Sequence, residues 1–248
     1  MCSMTDLHCH TLCLVDDGAK DATEMQKMLD TAYADGIRNI CFTPHFKRHH
    51  FADDADIDAY NSKINESFQL ALEYVEDKYP DMKLFLGNEI MYHHDIYDSI
   101  SRGHCLRIAN GAYVLVEFVP TMPFFEIRTA LSNLLRKGVR PILAHIERYN
   151  DLVSDIDRVV ELKELGVLIQ VNASSITRFK FGKSAKFIKS LFKRSLVDLI
   201  ATDAHDAKFF SQSMSKAVSL IDKRYGNSMA IKVSQTIPNM ILANKQIH

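Results

Sequence analysis

The sequence predicts an α/β fold, a TIM-like barrel of strand–helix units with seven strands rather than eight. Three observations predict it. Short apolar runs are followed repeatedly by helix-periodic runs, the pattern of parallel strands joined by helical crossovers. Several of those runs are apolar at consecutive positions, as strands are when both faces of a sheet are covered. The chain has 248 residues, a size that one such barrel commonly takes. An open doubly wound sheet would give the same alternation, and periodicity does not separate the two.

The elements follow in order. Met4 to His8 reads as the first strand. Asp21 to Asp35 reads as a helix, with Met25, Met28, Leu29, Ala32 and Tyr33 on one face. Asp21 and Glu24 form a capping box and Gly36 ends it. Ile37 to Thr43 is the second strand. The long helix after it buries Ile57, Tyr60, Ile64, Phe68, Ala71 and Val75. Met82–Gly87, Tyr113–Phe118, Pro141–His145, Gly166–Asn172 and Val197–Asp203 are the remaining five strands. Helical patterns cover Phe125–Lys137, Ile156–Leu165, Ala185–Arg194 and Ser211–Tyr225, and IPNMILANK reads as a short final helix. No linker or repeat divides the chain, so residues 1–248 are expected to form a single domain.

Composition narrows the class. Apolar residues make up 47% of the chain, enough for a large core. There are 30 Lys plus Arg against 31 Asp plus Glu, so no basic excess argues for nucleic acid. The basic run Lys180 to Arg194 alternates with apolar residues and reads as a solvated helix face. No signal peptide and no membrane span are expected. Cys2, Cys9, Cys13, Cys41 and Cys105 make no C-x-x-C pair; a reduced, cytoplasmic protein with free thiols is expected.

Metal-seeking side chains collect at the strand ends. The chain opens MCSMTDLHCHTLCLVDDG, and in extended chain His8 and His10 share a face while Cys9 points away. His45 follows the second strand, Glu89 the third, Glu117 sits near the end of the fourth, and His145 ends the fifth. Asp203 ends the seventh, with His205 two residues on and, by the same alternation, on its face. Asp17, the second aspartate before Gly18, can fold back from the loop after the first strand. That end of the sheet is where α/β barrels and open sheets place active sites. Nine donors exceed one ion's coordination, so two or three ions sharing carboxylates are expected, Mn, Fe, Zn or Mg rather than a thiolate zinc site. Taken singly, each donor has a bland reading as a cap, a loop residue or a paired carboxylate. Together they would be very costly to bury without a cation.

Other chemistry fails on inspection. His49, His50, His93, His94, His104 and His248 lie away from strand ends; His49 and His50 read as solvated, beside Lys47 and Arg48 that could meet an anionic substrate. A cysteine-based phosphatase needs arginine six positions after its nucleophile. Those offsets hold His8, Val15, Ala19, Lys47 and Gly111. Gly182-Lys183-Ser184 lacks the earlier glycine of a phosphate-binding loop, Thr177 standing in its place.

The motifs DLHCH, VDDGAK, TPH, GNEI, VLVEF, LAHIERY and ATDAH, in that order along nearly the whole chain, resemble the PHP (polymerase and histidinol phosphatase) superfamily. The resemblance is greatest to the bacterial tyrosine phosphatases of capsular polysaccharide biosynthesis. It implies a distorted seven-stranded barrel and a trinuclear centre, often manganese. His8, His10, Asp17, His45, Glu89, Glu117, His145, Asp203 and His205 match the family's ligand pattern. It also implies hydrolysis of phosphotyrosine on a tyrosine kinase that governs polysaccharide export, by metal-activated hydroxide. Arg148 maps to an arginine near the phosphate; it, His45 and His205 are the residues expected to take part in the chemistry. Members often continue S-D-x-H-N with R-P-P a few residues on. Here the run is TDAHDAKFF, without that arginine. The competing readings are a small-metabolite phosphatase of the histidinol phosphate kind, a metal-dependent nuclease, and a non-catalytic metal-stabilised interaction module.

Overall fold

The computed structural model describes residues 3–178, 181–210 and 213–247. Cys2, Lys180, Ser211 and His248, named above, lie outside the described residues. The strands are β1 (Met4–Cys9), β2 (Ile37–Phe42), β3 (His45–Phe46), β4 (Lys83–Leu86), β5 (Glu89–Met91), β6 (Tyr113–Glu117), β7 (Arg140–Leu143), β8 (Leu168–Asn172) and β9 (Leu199–Ala201). The helices are α1 (Ala22–Ala34), α2 (Asp54–Lys78), α3 (Ile96–Ser101), α4 (Phe124–Arg136), α5 (Asn150–Ser154), α6 (Asp157–Leu165), α7 (Ala173–Arg178), α8 (Lys183–Lys193), α9 (Ala207–Phe210), α10 (Ser213–Tyr225), α11 (Asn227–Ile231) and α12 (Ile237–Leu242). Among the described residues no helix is long and apolar enough to cross a membrane.

All seven expected strands are present, but the second and third are each broken in two. β1, β2 and β4 form one parallel sheet, and β3-β5-β6-β7-β8-β9 form another. β2 stops at Thr43-Pro44, where proline cannot donate to the ladder. Asn88 bridges the gap: its amide donates to the Pro44 carbonyl at 2.8 Å and its oxygen accepts from Leu106 N–H at 2.7 Å. Beyond the break β3 pairs with β5, placing His45 beside Glu89.

The edges meet past β9. Asp203 N–H donates to the His8 carbonyl at 2.8 Å, and His10 N–H to the Ala204 carbonyl at 2.9 Å. The result is a distorted (β/α)7 barrel. Leu7, Leu115, Ile142, Leu168 and Leu199 fill its interior, and Ile237 and Ile241 of α12 close the lower end. A larger apolar layer packs the strands' outer faces against the helices. Thr5 fastens α12 by donating to the Asn239 side-chain oxygen at 2.7 Å.

Capping follows the sequence. Asp21 accepts from Glu24 N–H at 2.8 Å, and the Glu24 carboxylate reaches back to Lys20 N–H at 3.1 Å. Asp53 likewise caps α2 through Asp56 N–H.

Candidate metal centre

The barrel's inward positions change character along each strand. Tyr113 and Leu115 are apolar, and the next inward residue of β6 is Glu117. β8 runs from Leu168 to Gln170 and Asn172 in the same way. β1 needs a distortion to do this. A register shift between Asp6 and Cys9 marks a bulge, which re-aims side chains. Leu7 joins the interior, Cys9 the outer layer, and His8 and His10 the donor cluster. Buried Asp6 braces the bulge, accepting from His8 N–H at 3.3 Å and Thr202 N–H at 3.1 Å. Burial lifts the Asp6 carboxyl to about 6 despite those donors.

The next loop returns over the site because of Gly18. A Cβ there would lie 1.8 Å from the His10 carbonyl oxygen, so glycine is required for this approach.

His145 and Asp203 hold left-handed backbones, φ 30° and 52°. Such conformations cost a non-glycine residue about 1–3 kcal/mol and concentrate at functional sites. Alternation along an extended strand, the sequence expectation for Asp203 and His205, is corrected here. β9 ends at Ala201, and the left-handed turn at Asp203 carries both residues to the site as the chain swings toward α9.

Among the described residues, three groups place one donor atom per residue within 4.8 Å of one another. They are His8, His10, Glu89 and Asp203; His45, Glu89 and Glu117; and His10, Asp17, His45 and His205. Glu89 Oε2 lies 3.3 Å from His8 Nε2, 3.4 Å from His10 Nε2 and 3.0 Å from His45 Nδ1. Glu89 Oε1 is 2.7 Å from His145 Nε2, which is also 3.7 Å from Glu117. Asp203 Oδ1 lies 3.3 Å from His8 Nε2, and Asp17 Oδ1 lies 3.6 Å from Nε2 of both His45 and His205. All nine residues singled out in the sequence therefore meet. The Asp17 group is the outward one, with side chains 67%, 30% and 16% exposed at Asp17, His205 and His45.

The residues behind these donors set the imidazole tautomers. Gln170 Oε1 accepts from His145 N–H at 2.7 Å, which identifies it as the oxygen. His8 Nδ1, 3.2 Å from the same oxygen, must then be the protonated nitrogen, leaving an Nε2 lone pair toward the cluster. His10 Nδ1 faces Asp16 at 2.6 Å, and His205 Nδ1 faces the Asp203 carbonyl at 3.0 Å. Asp16 is thus the support and Asp17 the carboxylate of the pair that joins the donor cluster. Asp16 also accepts from the backbone N–H groups of His45 and Gly18, both at 3.0 Å. Asn172 donates to Asp203 Oδ2 at 2.7 Å, and Gln170 donates to Asn172 at 2.7 Å.

The donor set fits divalent cations. His45 Nδ1, Glu117 Oε1 and His145 Nδ1 are buried without a hydrogen-bond partner, which is costly unless something else satisfies them. Protons otherwise supply the positive charge. Burial works against charge on His8 and His10, yet Glu89 and Asp203 raise His8, and Asp16, Asp203 and Glu89 raise His10, above the usual histidine range. Burial also opposes charge on His45, but Glu117 and Glu89 raise it to about 9. Burial alone would raise Glu89 and Asp203; the surrounding imidazoles hold both carboxyls below their ordinary range.

Arg148, half exposed, donates to Asp203 Oδ2 at the rim. Sequence reasoning missed Asp16 as a support, and missed Gln170, Asn172 and Asp6. A signal was present: Gln170 and Asn172 are the polar positions of GVLIQVN, two apart and so on one face.

A sequence profile described as capsular polysaccharide synthesis, CpsB/CapC, matches residues 4–243. The chain belongs to the CpsB/CapC family. The chain is 31% identical to tyrosine-protein phosphatase CpsB of Streptococcus pneumoniae, over 98% of this chain and 100% of that protein. Among solved structures it resembles one from a study of YwqE of Bacillus subtilis and CpsB of S. pneumoniae, described there as unique metal-dependent tyrosine phosphatases. The TM-score is 0.85 at 24% identity, covering 99% of this chain and 96% of that one. Histidinol phosphate phosphatase of Lactococcus lactis shares the fold more distantly, with a TM-score of 0.58, 18% identity and 89% and 93% coverage. This family member thus has the barrel expected from its motifs.

Proposed function

We propose that the chain is a metal-dependent protein-tyrosine phosphatase, working as one domain in the cytoplasm. Its substrate in this reading is a phosphotyrosine protein, a bacterial tyrosine kinase of capsule or exopolysaccharide synthesis. The observation that carries the reading is the set of three overlapping donor groups at the active end of the barrel, two of them sharing Glu89 and joined to the third through His10 and His45. Membership of a family whose curated relatives are named tyrosine-protein phosphatases supports it. The assigned ligands are His8, His10, Asp17, His45, Glu89, Glu117, His145, Asp203 and His205, for two or three divalent ions, manganese first among them. When bound, such ions supply Lewis acidity and lower the pKa of water for attack on phosphorus.

The chain's own residues divide the remaining work. His8, Glu89 and Asp203 hold the inner end with nearly all their surface buried. Asp17, His45 and His205 border the exposed mouth through which a phosphoryl group enters. Arg148 keeps Asp203 oriented with one nitrogen and has further N–H groups for phosphoryl oxygens as charge builds.

Phosphate release from a phosphotyrosine peptide tests the reading, run on metal-stripped protein, then with manganese, then with vanadate. Manganese-dependent release with weak vanadate sensitivity is expected. Metal-loaded protein that spares phosphotyrosine but hydrolyses histidinol phosphate would overturn it in favour of a metabolite phosphatase.

A further inference from the structure

The outward donor group opens onto a cavity of about 340 Å³ whose lining includes Asp16, Asp17, His45, Lys47, Phe51 and Tyr60. Three of these lining residues belong to the Asp16–Asp17 loop and the His45 end of the donor set. The others form a separate wall. A second groove of about 380 Å³ lies between α3 and α4, but none of its lining residues is a donor. Of these two, the first continues from the mouth of the site.

We propose that this cavity is the subsite for the aryl ring of the substrate, with Lys47 as the cation that anchors its phosphoryl group. This rests on the phosphotyrosine reading above. The far wall is apolar and aromatic. The Phe51 ring lies 5.1 Å from Tyr60 and 5.3 Å from Phe46, centroid to centroid. The Tyr60 hydroxyl donates to the His45 carbonyl, tying that wall to the donor residue itself. Arg48 donates to the Phe51 carbonyl at 2.9 Å and secures the turn that presents Phe51. The cavity is at the small end of the roughly 300–1,000 Å³ range of ligand sites, enough for a phenyl group beside the mouth. Aromatic walls bind such a ring by burial and by edge or offset contact.

Lys47 lies on the same lining, on the chain that leaves β3 straight after His45 and Phe46. Among the described residues it enters no ion pair, while the two carboxylates across the cavity are engaged: Asp16 by His10 and Asp17 toward His45 and His205. In this reading Lys47 adds a second cation for the phosphoryl oxygens besides Arg148. It answers the absence of arginine after His205, where the chain reads DAKFF. The geometry also separates substrates. A phosphotyrosine fills the cavity with its ring, whereas a phosphoserine leaves it mostly to water.

Equilibrium binding of phenylphosphonate and methylphosphonate to the manganese-loaded full chain tests this without turnover. Wild type is expected to prefer the phenyl ligand. Phe51→Leu, which keeps apolar bulk, should cut that preference about three- to tenfold. Lys47→Gln should weaken both ligands about tenfold. Methylphosphonate binding by Phe51→Leu checks that the variant is folded and loaded. No aryl preference in wild type, or both variants binding like wild type, overturns the proposal. Phosphotyrosine turnover by wild type is read alongside. Turnover without aryl preference sinks the subsite and keeps the reaction, while aryl preference present in wild type and lost in Phe51→Leu, without any phosphotyrosine turnover, keeps the subsite and sinks the reaction.

Discussion

Gln170 offers the sharpest test of how the centre is held. It is fully buried in β8, is not a metal ligand in the proposed scheme, and connects three donors, His8 and His145 directly and Asp203 through Asn172. Gln170→Met keeps the length and removes three hydrogen bonds: from His145 N–H at 2.7 Å, from His8 Nδ1–H at 3.2 Å, and to Asn172 at 2.7 Å. Each leaves a buried polar group unmatched, at about 1–3 kcal/mol apiece. The three share one network and do not add fully, so a loss of about 3–6 kcal/mol is expected in the metal-free protein. His8 also loses the partner that fixes its tautomer, and supports of this kind are worth about 10–100-fold in metal affinity. Urea unfolding of metal-free protein reads the first quantity and manganese titration the second. Gln170→Glu retains both acceptor contacts and loses only the donor to Asn172, so it should fall between wild type and Gln170→Met. A Gln170→Met protein less than about 1 kcal/mol destabilised, with manganese affinity unaltered, would refute the argument that this amide sets the imidazoles.

Three further outcomes are expected. Gly18→Ala forces the loop off the His10 carbonyl, since its Cβ would sit 1.8 Å from that oxygen; manganese affinity should drop at least tenfold, and calorimetric titration checks it. Metal-free protein should lose stability as pH rises. His45 has its folded pKa raised from 6.5 to about 9, so its contribution is complete below pH 6.5 and disappears as pH passes about 9. Metal binds the unprotonated imidazole, so thermal melts of manganese-loaded protein should not show that decline across the same window. Arg148→Ala should keep its metals by elemental analysis yet lose about 10–100-fold in kcat/KM for a phosphotyrosine peptide; wild-type kinetics would remove Arg148 from the mechanism.

The linear pattern determined a great deal. Runs of apolar residues separated by helical periodicity specified seven parallel strands, because each strand is covered on both faces and each helix on one. The same pattern located the donors, since parallel strands all end at one face and His8, His45, Glu89, Glu117, His145 and Asp203 each fall at or near such an end. Asp21 and Glu24 announced the start of α1 through chemistry confined to the five residues from Lys20 to Glu24. Tertiary structure decided what depends on distant partners. Thr43-Pro44 and Gly87-Asn88 break two strands, and only the pairing of β3 with β5 shows His45 and Glu89 side by side. The sequence placed Asp17 among the donors and gave Asp16 no role; the contact of Gly18 with the His10 backbone goes with Asp16 at the imidazole's rear and Asp17 at the mouth. Gln170 and Asn172 look like a strand's incidental polar face until the barrel closes, because their partners, His8 and Asp203, are 162 and 31 residues away. Periodicity reports which way a side chain points within its own element. Hydrogen bonds between elements far apart in the chain become visible only when the ring is complete.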